Sequence, residues 1–325
     1  MESAGRLASF VLIGCFACGA RTPPGSLRPP DAGTDAGALC ALSADRPLAT
    51  IATPALRIAL DATHVYWTDT VALKRVPKSG GAVEEITRPV AAHFAIDETK
   101  AYFYQAVDHN TGSSHYVTYP LYWLPKTGGT AVLLRDNSVG TPGHLALDAM
   151  QVYRAVEYSR SVESVAKGTG QLTTLLATGI DAARLARSGF YLYFTTWLPG
   201  GVWRIPADGG KAEMLAMGDH SQDIAVDAEH VYWATYLARR SIRSVPIDGG
   251  PVAILVKPDG DPRGLALDDR HIYWAEPELG KVWRTPKSGG TSVPIVTGVA
   301  SPTDVAVDDR CVYFAAANVI AGAPK

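Results

Sequence analysis

The chain has 325 residues, of which 47% are hydrophobic and 19% are charged, and its formal net charge is −2 at pH 7. This is the composition of a globular protein with enough apolar residues for a large core. No run of basic residues indicates a nucleic-acid partner, so we expect none.

Residues 1–18 have the pattern of a signal peptide. Arg6 precedes an apolar run, residues 7–13, that is far too short to span a bilayer. The sequence Leu-Ile-Gly-Cys at residues 12–15 resembles the lipobox of bacterial lipoproteins, which implies cleavage before Cys15 and lipidation of its thiol. Secretion without lipidation is the alternative. Cys15 and Cys18 also form a CxxC, but the second pair of a usual metal site is missing.

Residues 19–46 are predicted to be a disordered tether. They are rich in Pro, Gly and Ala and have no apolar periodicity, so they cannot bury enough surface to fold. We expect the tether to join a lipid anchor to a folded domain that covers residues 47–325. The expected location is the cell envelope, at the periplasmic or outer-membrane surface, and the lipid anchor makes the membrane an expected partner.

From residue 47 onward the chain repeats a unit of about 40 residues. An aspartate near the end of the first strand anchors each unit, and a serine replaces it in the fourth. The anchors are Asp61, Asp97, Asp148, Ser188, Asp227, Asp268 and Asp308. Strand-like repeats of this period predict a β-propeller, in which each unit is one blade.

Each unit is predicted to have small side chains near the propeller axis and aromatic side chains farther from it. An alanine lies two residues before every anchor, and a tyrosine lies five residues after it. The alanines suit the crowded axis, and the tyrosines fill the wider space between blades. We expect the anchor carboxylate to bond backbone amides one or two residues on and close a tight turn, which is a structural role.

The chain is predicted to close its own ring. The third strand of most units ends in proline and a Gly-Gly turn, after which a fourth strand follows. The last unit reaches only Pro324 and Lys325, whereas residues 48–54 resemble the other fourth strands. The predicted fold is therefore all-β: a seven-bladed propeller of four-stranded blades, closed by an N-terminal outer strand that completes the last blade.

The tetrapeptide Tyr-Trp-Thr-Asp at residues 66–69, with the nearby Ile-Ala-Leu-Asp and Gly-Gly turn, resembles the YWTD (LDL-receptor class B) and NHL-like propellers. The resemblance covers residues 48–325 and implies an extracytoplasmic propeller whose blades form a binding platform. Receptor propellers of this family have six blades and a cysteine-rich module. This sequence has seven units and no such module, so receptor ligands are not carried over.

The candidate ligand site is the mouth of the central channel. The residue four positions before each anchor is expected beside this mouth, where one blade leads into the next. These residues are Arg57, His93, His144, Arg184, Asp223, Gly264 and Asp304. Basic residues on one side and acids on the other would orient an anionic or dipolar ligand. The alternative is a solvated channel mouth that tolerates any polar residue.

An insertion in the second unit is expected to overlie this mouth. Residues 105–119 outgrow the matching loops of the other units, and such loops usually cluster on a functional face. The candidate ligand-binding residues in the insertion are Asp108, His109 and His115. His220 is expected to reach the same mouth. Three further histidines fall three residues after an anchor and are expected to be repeat surface on the opposite face: His64, His230 and His271.

The favoured function is binding rather than catalysis. No serine-hydrolase, zinc-protease or phosphate-loop motif occurs in the chain, so we assign no catalytic residue, metal or cofactor. We expect a monomeric envelope scaffold that binds a protein or a small ligand. One alternative is a lyase or lactonase-like enzyme at the channel mouth, with metal ligands drawn from His93, His144, Asp223 and Asp304. The other is a purely structural envelope component.

Cys40 and Cys311 are predicted to form a disulfide. An oxidising compartment favours the pairing of two thiols in the mature folded part. Cys311 lies three residues after Asp308, in a turn on the face opposite the mouth, and Cys40 precedes the closing strand on the same side. The bond would tie the closing strand to its blade.

Overall fold

The computed structural model describes residues 47–69, 71–90, 93–110, 115–136, 142–156, 160–177, 181–197, 200–218, 221–236 and 239–325, all within one compact unit, Asp35–Lys325. These residues form thirty β-strands and no α-helix, with a 3-10 turn at Pro277–Leu279. In the described part of the chain, no helix has the length and apolar character needed to cross a bilayer.

The strands build seven four-stranded antiparallel sheets, one for each predicted blade. The first strand of the described residues is β1 (Ala49–Thr50). Blade 1 contains β2 (Arg57–Leu60), β3 (His64–Thr68), β4 (Leu73–Pro77) and β5 (Glu84–Thr87). Blade 2 contains β6 (Phe94–Ile96), β7 (Lys100–Tyr104), β10 (Leu121–Pro125) and β11 (Val132–Arg135), interrupted by a separate hairpin of β8 (Val107–Asn110) and β9 (His115–Thr118).

The next three blades have no such insertion. Blade 3 contains β12 (Pro142–Leu147), β13 (Gln151–Val156), β14 (Ser161–Ala166) and β15 (Leu172–Ala177). Blade 4 contains β16 (Ala182–Ser188), β17 (Tyr191–Thr196), β18 (Gly201–Pro206) and β19 (Glu213–Met217). Blade 5 contains β20 (Ser221–Val226), β21 (His230–Thr235), β22 (Ser241–Pro246) and β23 (Ala253–Val256).

The last two blades complete the ring. Blade 6 contains β24 (Arg263–Leu267), β25 (His271–Glu276), β26 (Lys281–Pro286) and β27 (Val293–Val296). Blade 7 contains β28 (Asp304–Val307), β29 (Cys311–Ala315) and β30 (Val319–Pro324). The first strand of every blade is innermost, and each innermost strand contacts those of both neighbouring blades. The seven innermost strands therefore surround one central channel.

The predicted ring closure is confirmed. β1 pairs antiparallel with β30, with Ala49 opposite Ile320 and Thr50 opposite Val319. The amide of Ile51 adds a hydrogen bond of 2.8 Å to the carbonyl of Asn318. β1 is thus the outer strand of the last blade, and it closes the ring of seven blades.

Antiparallel strands give the propeller two distinct faces. The turns between first and second strands, which hold the anchor residues, lie on one side, which we call the turn face. The connections from second to third strands and from each blade to the next lie on the other, which we call the mouth face. Residues four positions before an anchor therefore stand at the mouth face.

On the turn face, each anchor aspartate holds its turn as predicted, though it bonds amides two and three residues on. Asp61 accepts hydrogen bonds of 2.8 Å from the amides of Thr63 and His64, and one of 2.7 Å from the hydroxyl of Tyr66. The amide bonds recur at the five other anchor aspartates. Burial raises the pKa of Asp97, but the hydrogen bonds from Lys167, from the two amides and from Tyr102 outweigh burial and hold that pKa at about 2.

A cation from the next blade completes the group at six of the seven junctions, and we call this set of ion pairs the turn-face ring. The pairs, at 2.7 to 3.5 Å, are Lys126 with Asp61, Lys167 with Asp97, Arg187 with Asp148, Lys287 with Asp227, Lys325 with Asp268 and Lys78 with Asp308. The junction of blades 4 and 5 differs. Ser188 replaces the aspartate, Ile247 takes a position that is lysine in five of the other six units, and Gly189 at φ 55° shapes the turn.

The core is divided among the blade junctions. Buried apolar side chains of the described residues cluster between each pair of neighbouring blades. The repeat tyrosines lie in these clusters, almost fully buried, with their rings toward the next blade. At the junction without an anchor aspartate, Ile247 packs in the cluster that contains Tyr193, and a different ion pair, Arg204 with Asp248 at 2.7 Å, joins the two blades.

Cys311 is disulfide-bonded and 2% exposed, in the same buried cluster as Leu48 and Ala49. Its predicted partner, Cys40, lies outside the described residues, and the pairing of these two cysteines stays a prediction. Cys15, the predicted signal peptide and the predicted tether also lie outside them.

Candidate functional site

The innermost strands bring the candidate residues to one channel. Arg57, Asp223 and Asp304 belong to β2, β20 and β28, and His144 belongs to β12. Each stands near the mouth-face end of its strand, because the strand runs from that face toward the anchor turn. The shared repeat register therefore gathers side chains from four different blades.

Arg57 crosses the channel and binds both acids. Its Nη1 lies 3.0 Å from Oδ2 of Asp223 and 3.4 Å from Oδ1 of Asp304, and its Nη2 lies 3.2 Å from Oδ1 of Asp223. The same Nη2 contacts the ring nitrogens of His144, and one of these contacts, to Nδ1, is 3.2 Å. One guanidinium thus joins blades 1, 3, 5 and 7. The basic and acidic halves of the ring are connected by this side chain rather than separated.

Backbone amides fix the two carboxylates. Oδ2 of Asp223 accepts a hydrogen bond of 3.0 Å from the amide of Leu265, and Oδ2 of Asp304 accepts one of 2.9 Å from the amide of Ile58. Each bond reaches the next blade. Gly264, at φ 57°, is required beside them, because a Cβ there would lie 2.4 Å from Oδ1 of Asp304.

Burial and charge set the protonation of the group. Burial raises the pKa of Asp304 to about 6, against the opposing effect of Arg57 and with a further rise from Asp223. Burial alone would lower the pKa of Arg57, but the charges of the two aspartates raise it overall. Burial and the nearby arginine charges hold the pKa of both His93 and His144 well below the usual value. Both imidazoles are therefore neutral at pH 7.

Arg57 separates two cavities along the channel. The inner cavity, about 190 Å³, is lined by both aspartates, His93 and His144. The outer cavity, about 270 Å³, opens at the mouth and has no acidic residue among the described residues that line it. Its polar and charged lining consists of Arg57, His93, Arg184, Gln222, Arg263 and Thr303. The arginines therefore face the mouth while the carboxylates face inward.

The remaining ring residues have more peripheral places. His93 packs its ring 4.7 Å from that of His144, centre to centre. Arg184 donates a hydrogen bond of 2.7 Å from Nε to the carbonyl of Gln222 in the next blade. This bond holds the Arg184 side chain against the wall of the outer cavity.

The insertion in blade 2 makes its own contacts. Nε2 of His115 lies 2.8 Å from Oδ1 of Asp108, between β8 and β9, and the Asp108 and His115 side chains are about two-thirds exposed, at 66% and 63%. His109 bonds Thr118 at 2.8 Å and stacks on Tyr116 at 4.8 Å. These contacts lie within the hairpin, so a place for the three residues at the mouth stays a prediction. His220 lies outside the described residues.

The other histidines named from the sequence lie where the repeat predicts. His64, His230 and His271 begin the second strands of their blades on the turn face, with rings about 6 Å from the repeat tyrosines. Among the residues that the structure describes, no three His, Cys, Asp or Glu side chains are placed to hold a metal ion. The four proposed metal ligands therefore do not form a metal site in this arrangement.

Two contributions to the channel are not evident from the ring positions alone. Arg263, immediately before Gly264, lines the outer cavity, and so does Gln222, immediately before Asp223. Both lie five residues before an anchor, at the next position toward the mouth. Reading two consecutive positions in each unit would have found them.

Comparison with known proteins identifies the fold. No family model matches the chain, and no curated protein matches its sequence. Among solved structures, a streptogramin B lyase is 15% identical, with 84% of this chain and 94% of that chain covered and a TM-score of 0.65. Hydrazine synthase from Kuenenia stuttgartiensis is 14% identical, with 85% and 97% covered and a TM-score of 0.66.

A chain of the nidogen/laminin complex is also similar. It is 15% identical, with 70% of this chain and 90% of that chain covered and a TM-score of 0.55. At these identities the likeness shows the β-propeller fold alone. The three proteins include a lyase and a partner in a binding complex, so the fold is compatible with both catalysis and binding.

Proposed function

We propose that this protein is an envelope scaffold, anchored by lipid on Cys15, that binds the anionic group of a ligand at its channel mouth. The observation that carries the binding role is the outer cavity. Arg57, Arg184 and Arg263 line it together with His93, and no acid is among its described lining residues. Arginine forks facing a small cavity suit a carboxylate or a similar oxyanion.

The arrangement of charge below the cavity supports this proposal. The two ring carboxylates are buried, at 5% and 3% exposure, and both are bonded to Arg57 and to amides, so they do not enter the outer cavity. Arg184 is held by its bond to the Gln222 carbonyl, which reduces the ordering required when a ligand binds. A volume of about 270 Å³ suits a terminal group or a small organic acid rather than a large ligand.

Calorimetric titration of the full chain with acetate, succinate and citrate tests the binding role. We expect at least one of these carboxylates to bind, and Arg184→Gln to weaken that binding about tenfold through the loss of a charge-assisted contact. Arg88→Gln is the matched control, because it removes an exposed arginine of the mouth-face connection after β5. Equal weakening by both variants, or no heat with any of the three acids, would contradict the proposal.

The proposed anchor has a separate test. The lipobox-like residues 12–15 support lipidation of Cys15 in a bacterial host that processes lipoproteins. Metabolic labelling with an alkyne fatty acid should mark the parent chain and leave Cys15→Ala unlabelled. Label that remains on Cys15→Ala, or a parent chain recovered without label, would count against the anchor and leave the channel proposal untouched.

A second candidate is a lyase, because Asp304 combines a pKa of about 6 with two neutral imidazoles in the same channel. Such groups can exchange protons near neutral pH. Incubation with streptogramin B, followed by mass spectrometry, tests the activity named for one structural neighbour. Conversion of the compound to a product, abolished by Asp304→Asn, would favour this candidate, whereas an unchanged compound would oppose it.

A further inference from the structure

The outer cavity of the channel has an apolar wall in addition to its polar and charged lining. Pro54, Ala55 and Leu56 form this wall, and all three belong to the segment that leads from β1 to β2. Pro54 and Leu56 are exposed at the mouth, whereas Ala55 is buried. A ligand whose anionic group enters this cavity would therefore also meet an apolar surface.

Two hydrogen bonds hold the apolar wall against the propeller. The amide of Leu56 donates to the carbonyl of Thr68 at 2.8 Å, within blade 1. Oγ1 of Thr303, in blade 7, donates to the carbonyl of Ala55 at 3.1 Å. The exposed side chain of Leu56 thus stands on a fixed backbone, which reduces the ordering required when a ligand binds.

The repeat does not require a large apolar residue where Leu56 stands. Leu56 lies five residues before its anchor, and the other six units have smaller or polar residues at this position: Ala92, Gly143, Ala183, Gln222, Arg263 and Thr303. The last three line the same cavity from blades 5, 6 and 7. Four consecutive blades therefore present an amide, a guanidinium, a hydroxyl and an aliphatic side chain around one cavity.

Three of these groups match the parts of a peptide's last residue. Arg263, exposed at the mouth, suits a carboxylate. The side-chain amide of Gln222 has both a donor and an acceptor, as a peptide group does. Leu56 suits an aliphatic side chain. A carboxyl-terminal residue presents a carboxylate, a side chain and an amide from a single Cα, so it can meet all three groups within one small cavity.

We propose that the channel mouth binds the carboxyl-terminal residue of a peptide or protein chain, and that this residue is aliphatic. The inference rests on the proposed function, because it names the class of ligand whose carboxylate enters the outer cavity. A volume of about 270 Å³ suits one terminal residue, with the rest of the ligand chain outside the mouth. A fatty acid shares the carboxylate and the apolar group but lacks the amide.

Calorimetry of the full chain tests the inference with four probes. N-acetyl-Ala-Ala-Leu with a free carboxylate is the main probe, which we call the leucine peptide. Its carboxamide form lacks the negative charge, and N-acetyl-Ala-Ala-Gly lacks the apolar side chain. We expect each change to weaken binding about tenfold, through the loss of a charge-assisted contact or of an apolar contact. Octanoate, which has no amide, should also bind about tenfold more weakly.

Three variants test the assigned contacts. Leu56→Ser should remove most of the preference for the leucine peptide over the glycine peptide. Val71→Ser is the matched control, because Val71 has nearly the same exposure, 41% against 40%, on the mouth face of blade 1 but does not line the cavity. It should leave that preference within about twofold. Gln222→Met keeps the side-chain length and removes the amide, so it should reduce the preference for the leucine peptide over octanoate about fivefold.

Three results would overturn the inference. They are equal binding of the leucine peptide and its carboxamide, equal binding of the leucine peptide and octanoate, and an equal loss of the leucine preference in Leu56→Ser and Val71→Ser. Acetate, succinate and citrate, titrated in the same series, separate this inference from the proposed function. If one of these acids binds and the leucine peptide does not, the inference fails and the proposed function stands. If neither the acids nor the peptide bind, both fail.

Discussion

The two rings of charged residues in this propeller lie on opposite faces and differ in how they use the repeat. The turn-face ring repeats one ion pair with little change, as Lys126 with Asp61 and Lys287 with Asp227 illustrate. The channel-mouth ring holds two arginines, two histidines, two aspartates and one glycine, and one of these residues, Arg57, contacts three others. The same register therefore gives a uniform ring on one face and a varied ring on the other.

The two rings differ because the junctions between blades and the channel mouth place different requirements on their residues. Each junction between blades needs the same closure, so the same turn chemistry works at every one of them. The channel mouth is a single place shared by seven strands, and a repeated residue there would bring seven like charges together. Varied residues allow the charges to compensate one another, as Arg57 does with Asp223 and Asp304.

Removing Arg57 should have the largest effect on stability. Such an effect would show that a residue of the channel-mouth ring, and not only the turn-face ring, stabilises the fold. Arg57→Leu leaves two buried carboxylates without their cation, and we expect a loss of about 3 kcal/mol in the free energy of unfolding at neutral pH. Urea denaturation measures it. Arg57→Leu combined with Asp304→Asn should recover part of the loss.

Arg263→Leu is the control for this measurement, because it removes an exposed arginine from the same channel mouth. We expect a change within about 0.5 kcal/mol. A comparable loss from Arg57→Leu and Arg263→Leu would show that the buried contacts of Arg57 contribute nothing measurable.

One aspartate of each ring should respond to pH in the opposite direction to the other. The folded pKa of Asp304, about 6, exceeds the ordinary value of 3.8, so the folded state binds this proton more tightly and stability from this group falls as pH rises from 4 through 6. The folded pKa of Asp97, about 2, lies below the ordinary value of 3.8, so its contribution is present above pH 4 and is lost as pH falls toward 2.

Asp304→Asn isolates the first of these effects. The stability of the variant relative to the parent should fall by roughly 2 kcal/mol between about pH 7.5 and pH 4.5, because only the parent gains from protonation. The neutral histidines act in the opposite direction, since their lowered pKa values make the folded state lose stability below pH 6.5. His93→Gln should therefore show a relative gain at low pH. A pH-independent difference for Asp304→Asn would refute the assignment.

Truncating one anchor aspartate should lower the free energy of unfolding by less than removing Arg57 does. Asp227→Ala removes acceptors for two amides and for the hydroxyl of Tyr232, and it also removes the partner of Lys287. We expect a loss of about 1.5 kcal/mol, measured by urea denaturation, because water replaces part of these bonds at a half-buried site. Ser188→Ala provides the matched control at the junction without an aspartate and should change stability by less than about 0.5 kcal/mol.

The smallest effect on stability should come from replacing Lys287, the cation that pairs with Asp227 at the same junction. Lys287→Ile imitates the natural junction of blades 4 and 5, where Ile247 stands in this place. Asp227 keeps its amide and tyrosine bonds, so we expect a loss of only about 0.5 to 1 kcal/mol. Lys211→Ile, at an exposed position, is the control. A loss as large as that of Asp227→Ala would mean that the ion pair, rather than the turn, dominates the junction.

The blade architecture could be predicted because the same sequence pattern recurs in all seven units. Alanine before the anchor and tyrosine after it recur in every unit, and the missing last strand has one counterpart, at residues 48–54. Most cations of the turn-face ring could also be predicted from a sequence pattern. A basic residue follows the proline at Lys78, Lys126, Lys287 and Lys325, and it is replaced by Ile247 after the unit whose anchor is Ser188.

The contacts inside the channel could not be predicted in the same way. Arg57 and Asp223 are 166 residues apart, and their meeting depends on a long side chain extended across the axis rather than on any local pattern. The register placed both at the mouth, but it could not show that Arg57 neutralises the acids.

The short closing strand also determines how the propeller would bear mechanical load. β1 runs from the turn face toward the mouth, so a pull transmitted through Pro47 acts along the strand and loads its bonds to β30 in shear. Ala49, Thr50 and Ile51 make these contacts, and so few bonds would yield early. A covalent link between Cys40 and Cys311 would carry the same force directly to β29, past the weakest strand. In a protein held by its N-terminal end, the predicted disulfide would then protect the hydrogen bonds between β1 and β30 from the pulling force.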